Sequence, residues 1–368
     1  MNFERIDMLR TQIEIYGFDG AVMIPGPTLF YLTGQSFHLM ERPVVLIVPR
    51  EKTPVVILPE MESDRLEAAG TALNVFSYGE DDASRSAAFE QATAMIGFDQ
   101  RLIAIEPLIF RYLEFDLLSS SAPRWEFQSG VELFTALREK KGPSEIEAMR
   151  KAVDIAETAL IAALPLIKIG MSEHDLAAEL VVQLLRAGSE PELPFQPIVA
   201  SGPNSALPHS TPTERMLAPG DVLILDWGAR SNGYISDITR TFAVGDVDPE
   251  LNLIHQIVLE ANAAGRAAAR PGATCHAVDQ AARQVIQEAG YGEYFIHRTG
   301  HGIGLEAHEP PNIRSGEMYA LEPGMTFTIE PGIYMLGSAG VRIEDNLLIT
   351  NDGQETLTSL DRTLDVVG

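Results

Sequence analysis

Cysteine is nearly absent, with Cys275 alone among 368 residues. One thiol cannot form an internal disulfide or a multi-thiolate zinc site, which leaves a buried small side chain or a lone nucleophile. No apolar run approaches the roughly 18 residues of a membrane span, and the charged start from Met1 to Arg10 lacks the basic-then-apolar order of a secretory signal. A cytoplasmic protein with no membrane partner is the expectation. Positive charge is scarce, with 27 Lys and Arg against 52 Asp and Glu. The resulting net charge of −25 repels phosphate backbones, so no nucleic-acid partner is expected. No nucleotide-binding glycine fingerprint opens a helix in the first third of the chain.

The residues that are present suffice for two domains of α/β character, with 45% of them hydrophobic. A helix near Arg5 to Tyr16 precedes a strand at Ala21 to Ile24, and the short apolar runs Val44 to Val48 and Val55 to Leu58 suit buried strands. Helical patterns at Ser84 to Ile96 and Leu108 to Leu118 flank a further strand at Leu102 to Ile105. The pattern breaks between Val131 and Lys141, which predicts domains over 1–131 and 132–368. Ser144 with Glu147 predicts a capping box opening a helix whose apolar positions are Ile146, Met149, Val153, Ala156 and Leu160. A second helix should start at Ser172 and run towards Arg186.

The second domain contains an internal repeat. Gly170 to Leu176 and Gly272 to Val278 share a glycine, a helix cap and an apolar follow-on. Pro219-Gly220, then a strand and Asp226, correspond to Pro323-Gly324, a strand and Glu330. More loosely, Asp237 in I-S-D-I-T corresponds to Glu344 in R-I-E-D-N. Each half thus delivers two acids to matching positions, which predicts a pseudo-twofold domain with a shared site. Four converging carboxylates would repel and raise one another's pKa values, so they can stay ionised only around cations. Two divalent ions balance four such charges. His301 lies in the histidine-rich stretch from His297 to Glu309, and its imidazole would complete an oxygen and nitrogen donor set. That set suits Mn(II), Co(II), Fe(II) or Zn(II), and two such ions can activate water and polarise a carbonyl.

These residues resemble the pita-bread metallopeptidases, a family that includes prolidase, aminopeptidase P and methionine aminopeptidase. The resemblance runs from about Ser144 onwards and rests on P-H at His209, D-W-G-A-R-S-N-G-Y-I-S-D-I-T-R-T from Asp226, G-H-G-I-G…H-E, T-I-E-P-G-I-Y and G-V-R-I-E-D. It implies metal ligation by Asp226, Asp237, His301, Glu330 and Glu344, with Asp237 and Glu344 bridging. It further implies that His209 and His308 contact substrate and steady the tetrahedral intermediate, that Glu330 relays protons, and that His297, Tyr334 and Arg342 support them. F-D-G-A-V-M-I and Y-L-T-G near the amino terminus resemble the creatinase-like first domain of the Xaa-Pro branch.

The resemblance therefore implies a small creatinase-like α/β domain followed by a pita-bread catalytic domain. It implies an exopeptidase with two divalent ions, Mn(II) foremost, acting on proline-containing di- or oligopeptides as a homodimer. Xaa-Pro dipeptidase is the favoured activity, with Xaa-Pro aminopeptidase the alternative. Creatinase, which shares the fold without needing metal, and a protein-binding module that has lost its metals are disfavoured by the complete ligand set. His38, His174, His255 and His276 match none of the motifs and are read, with Cys275, as structural or surface residues.

Overall fold

Residues 3–67, 73–97 and 99–368 are described in the computed structural model. The chain divides into two units, Met1–Arg138 and Glu139–Gly368. Among the described residues no helix is long and apolar enough to cross a membrane.

The first unit runs α1 (Phe3–Ile15), β1 (Gly20–Met23), α2 (Pro27–Thr33), β2 (Val45–Pro49), β3 (Val55–Pro59), α3 (Ser63–Glu67), β4 (Asn74–Tyr78), α4 (Asp82–Ile96), β5 (Arg101–Ile105), α5 (Tyr112–Ser121), β6 (Trp125–Ser129) and α6 (Val131–Arg138). Its strands form one mixed sheet in the order β4-β3-β2-β1-β5-β6. The apolar runs form β1, β2 and β3, which are buried throughout, because helices cover the sheet. Two expectations change. The helix predicted from Leu108 starts at Tyr112, since Leu108 is 95% exposed and Arg111 is still extended. The short helix α6 lies in the first unit, beyond the boundary expected at 131, because Leu133, Phe134 and Leu137 are buried and α6 packs on α1.

The second unit runs α7 (Pro143–Ala163), α8 (Glu173–Ala187), β7 (Ile198–Ser201), β8 (Val222–Trp227), β9 (Arg230–Ser231), β10 (Tyr234–Ile235), β11 (Ile238–Val244), α9 (Pro249–Ala268), α10 (Cys275–Glu288), β12 (Gly300–Gly302), β13 (Glu309–Ile313), β14 (Thr326–Ile329), β15 (Gly332–Met335), β16 (Ala339–Arg342), β17 (Asp345–Ile349), β18 (Gln354–Thr356) and β19 (Val366–Val367). The predicted cap of α7 moves: Gly142 is the N-cap, Pro143 takes the first helical position, and the Gly142 N–H donates to the Glu145 carboxylate at 2.7 Å. Proline at that position loses no hydrogen bond, which favours this start over one at Ser144.

The repeat is visible in three dimensions. The helix pair α7 and α8 packs on the sheet β19-β11-β8-β7, while α9 and α10 pack on β13-β12-β14-β17-β18. Ser172 and Thr274 cap α8 and α10, accepting from Asp175 N at 3.0 Å and Ala277 N at 3.1 Å. The glycines before these caps, Gly170 and Gly272, have φ of 82° and 81°, and Gly220 and Gly324 both have φ of 93°. Each position needs the left-handed region, which explains glycine recurring there in both halves.

Burial also fixes the state of two residues that matched no motif. Cys275 is fully buried in an apolar cluster, and burial pushes its thiol up to about 12, so it stays protonated and unreactive. His255 on α9 is 4% exposed, lacks a hydrogen-bond partner at Nε2, and is pushed by burial down to about 4 against a smaller upward pull from Asp365. An unfolded histidine protonates near 6.5, so the fold favours the neutral ring. Stability should fall as pH drops from about 6.5 to about 4, by roughly 3 kcal/mol in full. Urea unfolding near pH 7 and near pH 4 should show His255→Leu losing less stability than wild type over that interval; parallel losses would contradict the assignment.

Candidate metal centre

Two antiparallel strand pairs, one from each half, deliver the four acids. In the first pair Asp226 on β8 faces Thr239 on β11, and Asp237 immediately precedes β11. In the second, Ile329 on β14 faces Asp345 on β17, and Glu330 and Glu344 are the residues just beyond that pair. His301 lies on β12, between β13 and β14. All five line one cavity of about 410 Å³ together with His209, His297, His308 and Arg342. Tyr334 reaches it through its hydrogen bonds to His297 and Arg342.

Gly300 and Gly302, which flank His301, are required by packing. A Cβ on Gly300 would lie 1.8 Å from the Thr328 carbonyl oxygen, and one on Gly302 would lie 2.1 Å from that of Pro310. The close approach at these glycines is to the neighbouring strands β14 and β13.

The donor set fits cations. Donor atoms of Asp237, His301 and Glu344 lie within 4.8 Å of one another. His301 Nδ1 is 3.1 Å from the Gly302 carbonyl oxygen, which can only accept, so the proton belongs on Nδ1 and Nε2 carries the lone pair. That Nε2 sits 3.5 Å from Glu330 Oε1 and 3.7 Å from Asp237 Oδ2. Asp226 Oδ1 and Glu344 Oε1 are buried without a hydrogen-bond partner. Two unpartnered carboxylate oxygens beside an imidazole lone pair would be costly unless something positive is bound there.

Electrostatics point the same way. Burial, and then the neighbouring carboxylates, hold Asp237 and Glu344 well above the usual carboxylate range. Burial pushes Glu330 up to about 8, although Arg342 draws it down. His301 is held well below the ordinary histidine value by burial and then by His308 and Arg298. Its imidazole is therefore neutral and free to donate its lone pair.

The surrounding residues lock the two halves together. Thr239, two residues after Asp237, donates its hydroxyl to Glu344 Oε2 at 2.7 Å. Asn346, two residues after Glu344, donates to the Asp237 carbonyl at 2.5 Å and accepts from the Asp237 N–H at 3.1 Å. Each half thus holds the other's acid. Arg342 donates to Asp226 Oδ2 at 2.7 Å, to Thr239 Oγ1 at 3.1 Å and to Tyr334 Oη at 2.9 Å. The Tyr334 hydroxyl lies 2.9 Å from His297 Nε2, and His297 Nδ1 lies 2.7 Å from the Arg298 carbonyl. The consistent assignment has Nδ1 donating to that carbonyl and Tyr334 donating to Nε2. Burial pushes His297 down to about 4 and Tyr334 up to about 12, which keeps both neutral.

The remaining two histidines face the cavity from different supports. The His308 ring meets that of His301 edge-on, with centroids 4.1 Å apart. His209 follows Pro208 on a loop at the rim and is exposed. The cavity also contains residues that the sequence reading did not single out: Arg298, Phe195, Gln196, Ile198 and Ala307. Arg298 is half-buried and donates to Asn312 Oδ1 at 2.6 Å. Thr239 and Asn346 were also missed, although both sit at the same offset from corresponding acids of the repeat.

With several acids raised, the metal-free site holds protons near pH 7 that bound cations must expel. Titrating Mn(II) into chelator-treated protein should release about one or two protons per chain, read from calorimetric heats in buffers of different ionisation enthalpy. Glu330→Gln should reduce that release; proton-neutral binding by the wild type would contradict the coupled acids.

Comparison with known proteins agrees with this geometry. The sequence model of "Metallopeptidase family M24" matches residues 147–351, and that of "Creatinase/Prolidase N-terminal domain" matches residues 5–140. An Xaa-Pro dipeptidase from Lactobacillus helveticus is 34% identical over 363 residues, 98% of each chain. A solved dipeptidase from Pyrococcus horikoshii OT3 is 37% identical, with a TM-score of 0.92 over 99% of this chain and 100% of the other. An X-Pro aminopeptidase from Thermotoga maritima MSB8 is 30% identical, with a TM-score of 0.86 over 98% and 99%. Strand pairs, acids and relatives lead to one conclusion: the chain belongs to metallopeptidase family M24 and carries a creatinase/prolidase amino-terminal domain ahead of its catalytic domain.

Proposed function

We propose that the protein is an Xaa-Pro dipeptidase that works with two divalent ions, Mn(II) foremost. The observation that carries the metal is the meeting of Asp237, His301 and Glu344 donor atoms within 4.8 Å, beside carboxylate oxygens that have no other partner. In this reading Asp226, Asp237, His301, Glu330 and Glu344 would hold the ions. A homodimer and a cytoplasmic location belong to the same reading, the homodimer resting on the family resemblance.

When bound, the ions would polarise the scissile carbonyl and make water nucleophilic at neutral pH. The protein's own groups supply the rest. Glu330 can take a proton from the attacking water and return it to the proline nitrogen as that bond breaks. His308, held below the ordinary histidine value chiefly by burial, and His209 at the cavity rim can hydrogen-bond the carbonyl oxygen as it gains charge. Arg342 fixes Asp226, while Tyr334 and His297 fix Arg342 in turn. Phe195, Ile198 and Ala307 offer an apolar wall for a pyrrolidine ring.

Dipeptide preference is supported by Arg298. Arg298 lines the cavity, and its guanidinium can pair with the free carboxylate of a second residue, which a longer peptide does not present there. Arg298→Ala should raise KM for an Xaa-Pro dipeptide by roughly ten- to a hundredfold, the loss of one charge-assisted interaction. Its effect on an Xaa-Pro tripeptide should be small. Faster cleavage of the tripeptide by wild type would move the assignment to aminopeptidase.

Metal dependence has its own test. Thorough chelation should abolish hydrolysis, and Glu344→Ala should lose bound metal and activity together. Full activity in demetallated protein, or unchanged metal content in that variant, would sink the two-metal reading.

A further inference from the structure

A fully buried acid outside the cavity holds the loop that carries His209. Glu173 opens α8 and is 0% exposed. Its Oε1 accepts from Ser201 N at 2.7 Å and Ser201 Oγ at 2.8 Å. Its Oε2 accepts from Asn204 Nδ2 at 2.9 Å, Thr213 N at 3.1 Å and Thr213 Oγ1 at 2.6 Å. One carboxylate thus grips the segment on both sides of His209, before it at Ser201 and Asn204 and after it at Thr213.

The far side of the same loop is pinned by the catalytic half-domain opposite. Gly340 N donates to Ser205 Oγ at 2.8 Å, and a Cβ on Gly340 would lie 2.1 Å from the Ser205 carbonyl oxygen. Arg342 Nη1 reaches the carbonyl of Pro208, the residue before His209, at 3.4 Å. His209 is therefore carried on an irregular segment whose freedom is removed from two directions.

The repeat shows that the fold does not itself need an acid at this position. Cys275 follows the cap Thr274 as Glu173 follows Ser172, and its backbone repeats the same contacts. Glu173 N donates to Arg215 O and His174 N to Thr213 O, while Cys275 N donates to Tyr319 O and His276 N to Glu317 O. The second half builds the same helix start around a small apolar side chain. The acid appears only in the half whose loop carries His209.

We propose that Glu173 is a positioning residue for His209, holding the loop so that the imidazole stands at the cavity rim before substrate arrives. The inference rests on the reading of His209 as a substrate-contacting group. Glu173→Gln keeps the volume but turns an NH2 group towards a donor, at Ser201 or at Thr213.

The test uses the full-length, Mn(II)-loaded protein. Glu173→Gln should lower kcat/KM for an Xaa-Pro dipeptide by roughly ten- to a hundredfold, as expected for a displaced catalytic group. Melting temperature should fall by only several degrees, with the fold retained, and metal content should stay close to wild type. In a His209→Ala background most of that loss should vanish, because the acid then has nothing to position. Amide hydrogen exchange should quicken over 202–213 and not elsewhere. Equal losses in both backgrounds, or no loss with unchanged exchange, would overturn the proposal. Should Glu173→Gln not fold, Thr213→Val and Asn204→Ala remove loop donors singly and should give smaller losses with the same dependence on His209. A wild type that cannot cleave Xaa-Pro dipeptides would refute the peptidase reading separately. Exchange would then decide the anchoring, upheld by quickening confined to 202–213 and refuted by its absence.

Discussion

Mutual repulsion among Asp226, Asp237, Glu330 and Glu344 is the constraint that the rest of the catalytic unit answers. Burial raises the cost of each negative charge, and each neighbour raises it again. Arg342 offsets part of that cost by pairing with Asp226 at 2.7 Å, and it is in turn oriented by Tyr334 and Thr239. It makes no hydrogen bond to Asp237 or Glu344, whose affinities for protons stay well above normal. A cleft arranged in this way binds protons when it lacks cations and is poised to exchange them.

Holding such a cleft together falls to contacts between the halves. Thr239 and Asn346 occupy equivalent places, and each hydrogen-bonds the acid or backbone of the opposite half. Neighbouring Asp345 is buried among arginines: Arg240 pairs with it at 3.0 Å and Arg362 at 2.7 Å, and Arg240 also donates to the Glu344 carbonyl at 2.6 Å. Attraction chiefly from Arg240 and Arg362 outweighs burial and holds Asp345 down at about 2. Acids adjacent in the chain thus have opposite fates. Glu344 faces other acids and retains protons, whereas Asp345 faces arginines and stays ionised.

Much of this was legible in the sequence because the repeat displays it twice. Asp226 with Glu330 and Asp237 with Glu344 could be paired by position, and the glycines before both caps mark the same left-handed turns. Less was legible where the signal is not periodic. The start of α7 was misplaced because Ser144 and Glu147 mimic a capping box, while Gly142 and Glu145 form the working contact with only a backbone donor on the glycine. Leu108 extended a helical pattern in sequence, yet the chain there is solvent-exposed turn. Arg298 carried no signal beyond standing three residues before His301. Its place in the cavity follows from strand pairing of His301 with Asn312, which no local pattern reveals.

The division between chemistry and selectivity follows from these positions. Asp226 and His301 lie on strands, and Asp237, Glu330 and Glu344 lie beside strand ends of the two halves, where a change in one alters the protonation of the others. Residues that can distinguish one peptide from another lie at the margins: Arg298 is half-buried, and His209 stands on a loop whose anchors lie behind it. A dipeptide and a longer peptide share the same scissile bond, so the buried donors have no means of telling them apart. Discrimination must come from a group placed where the second residue ends. In the proposed reading Arg298 is that group, its guanidinium held by Asn312 and close enough to Glu330 for the two to influence each other's charge.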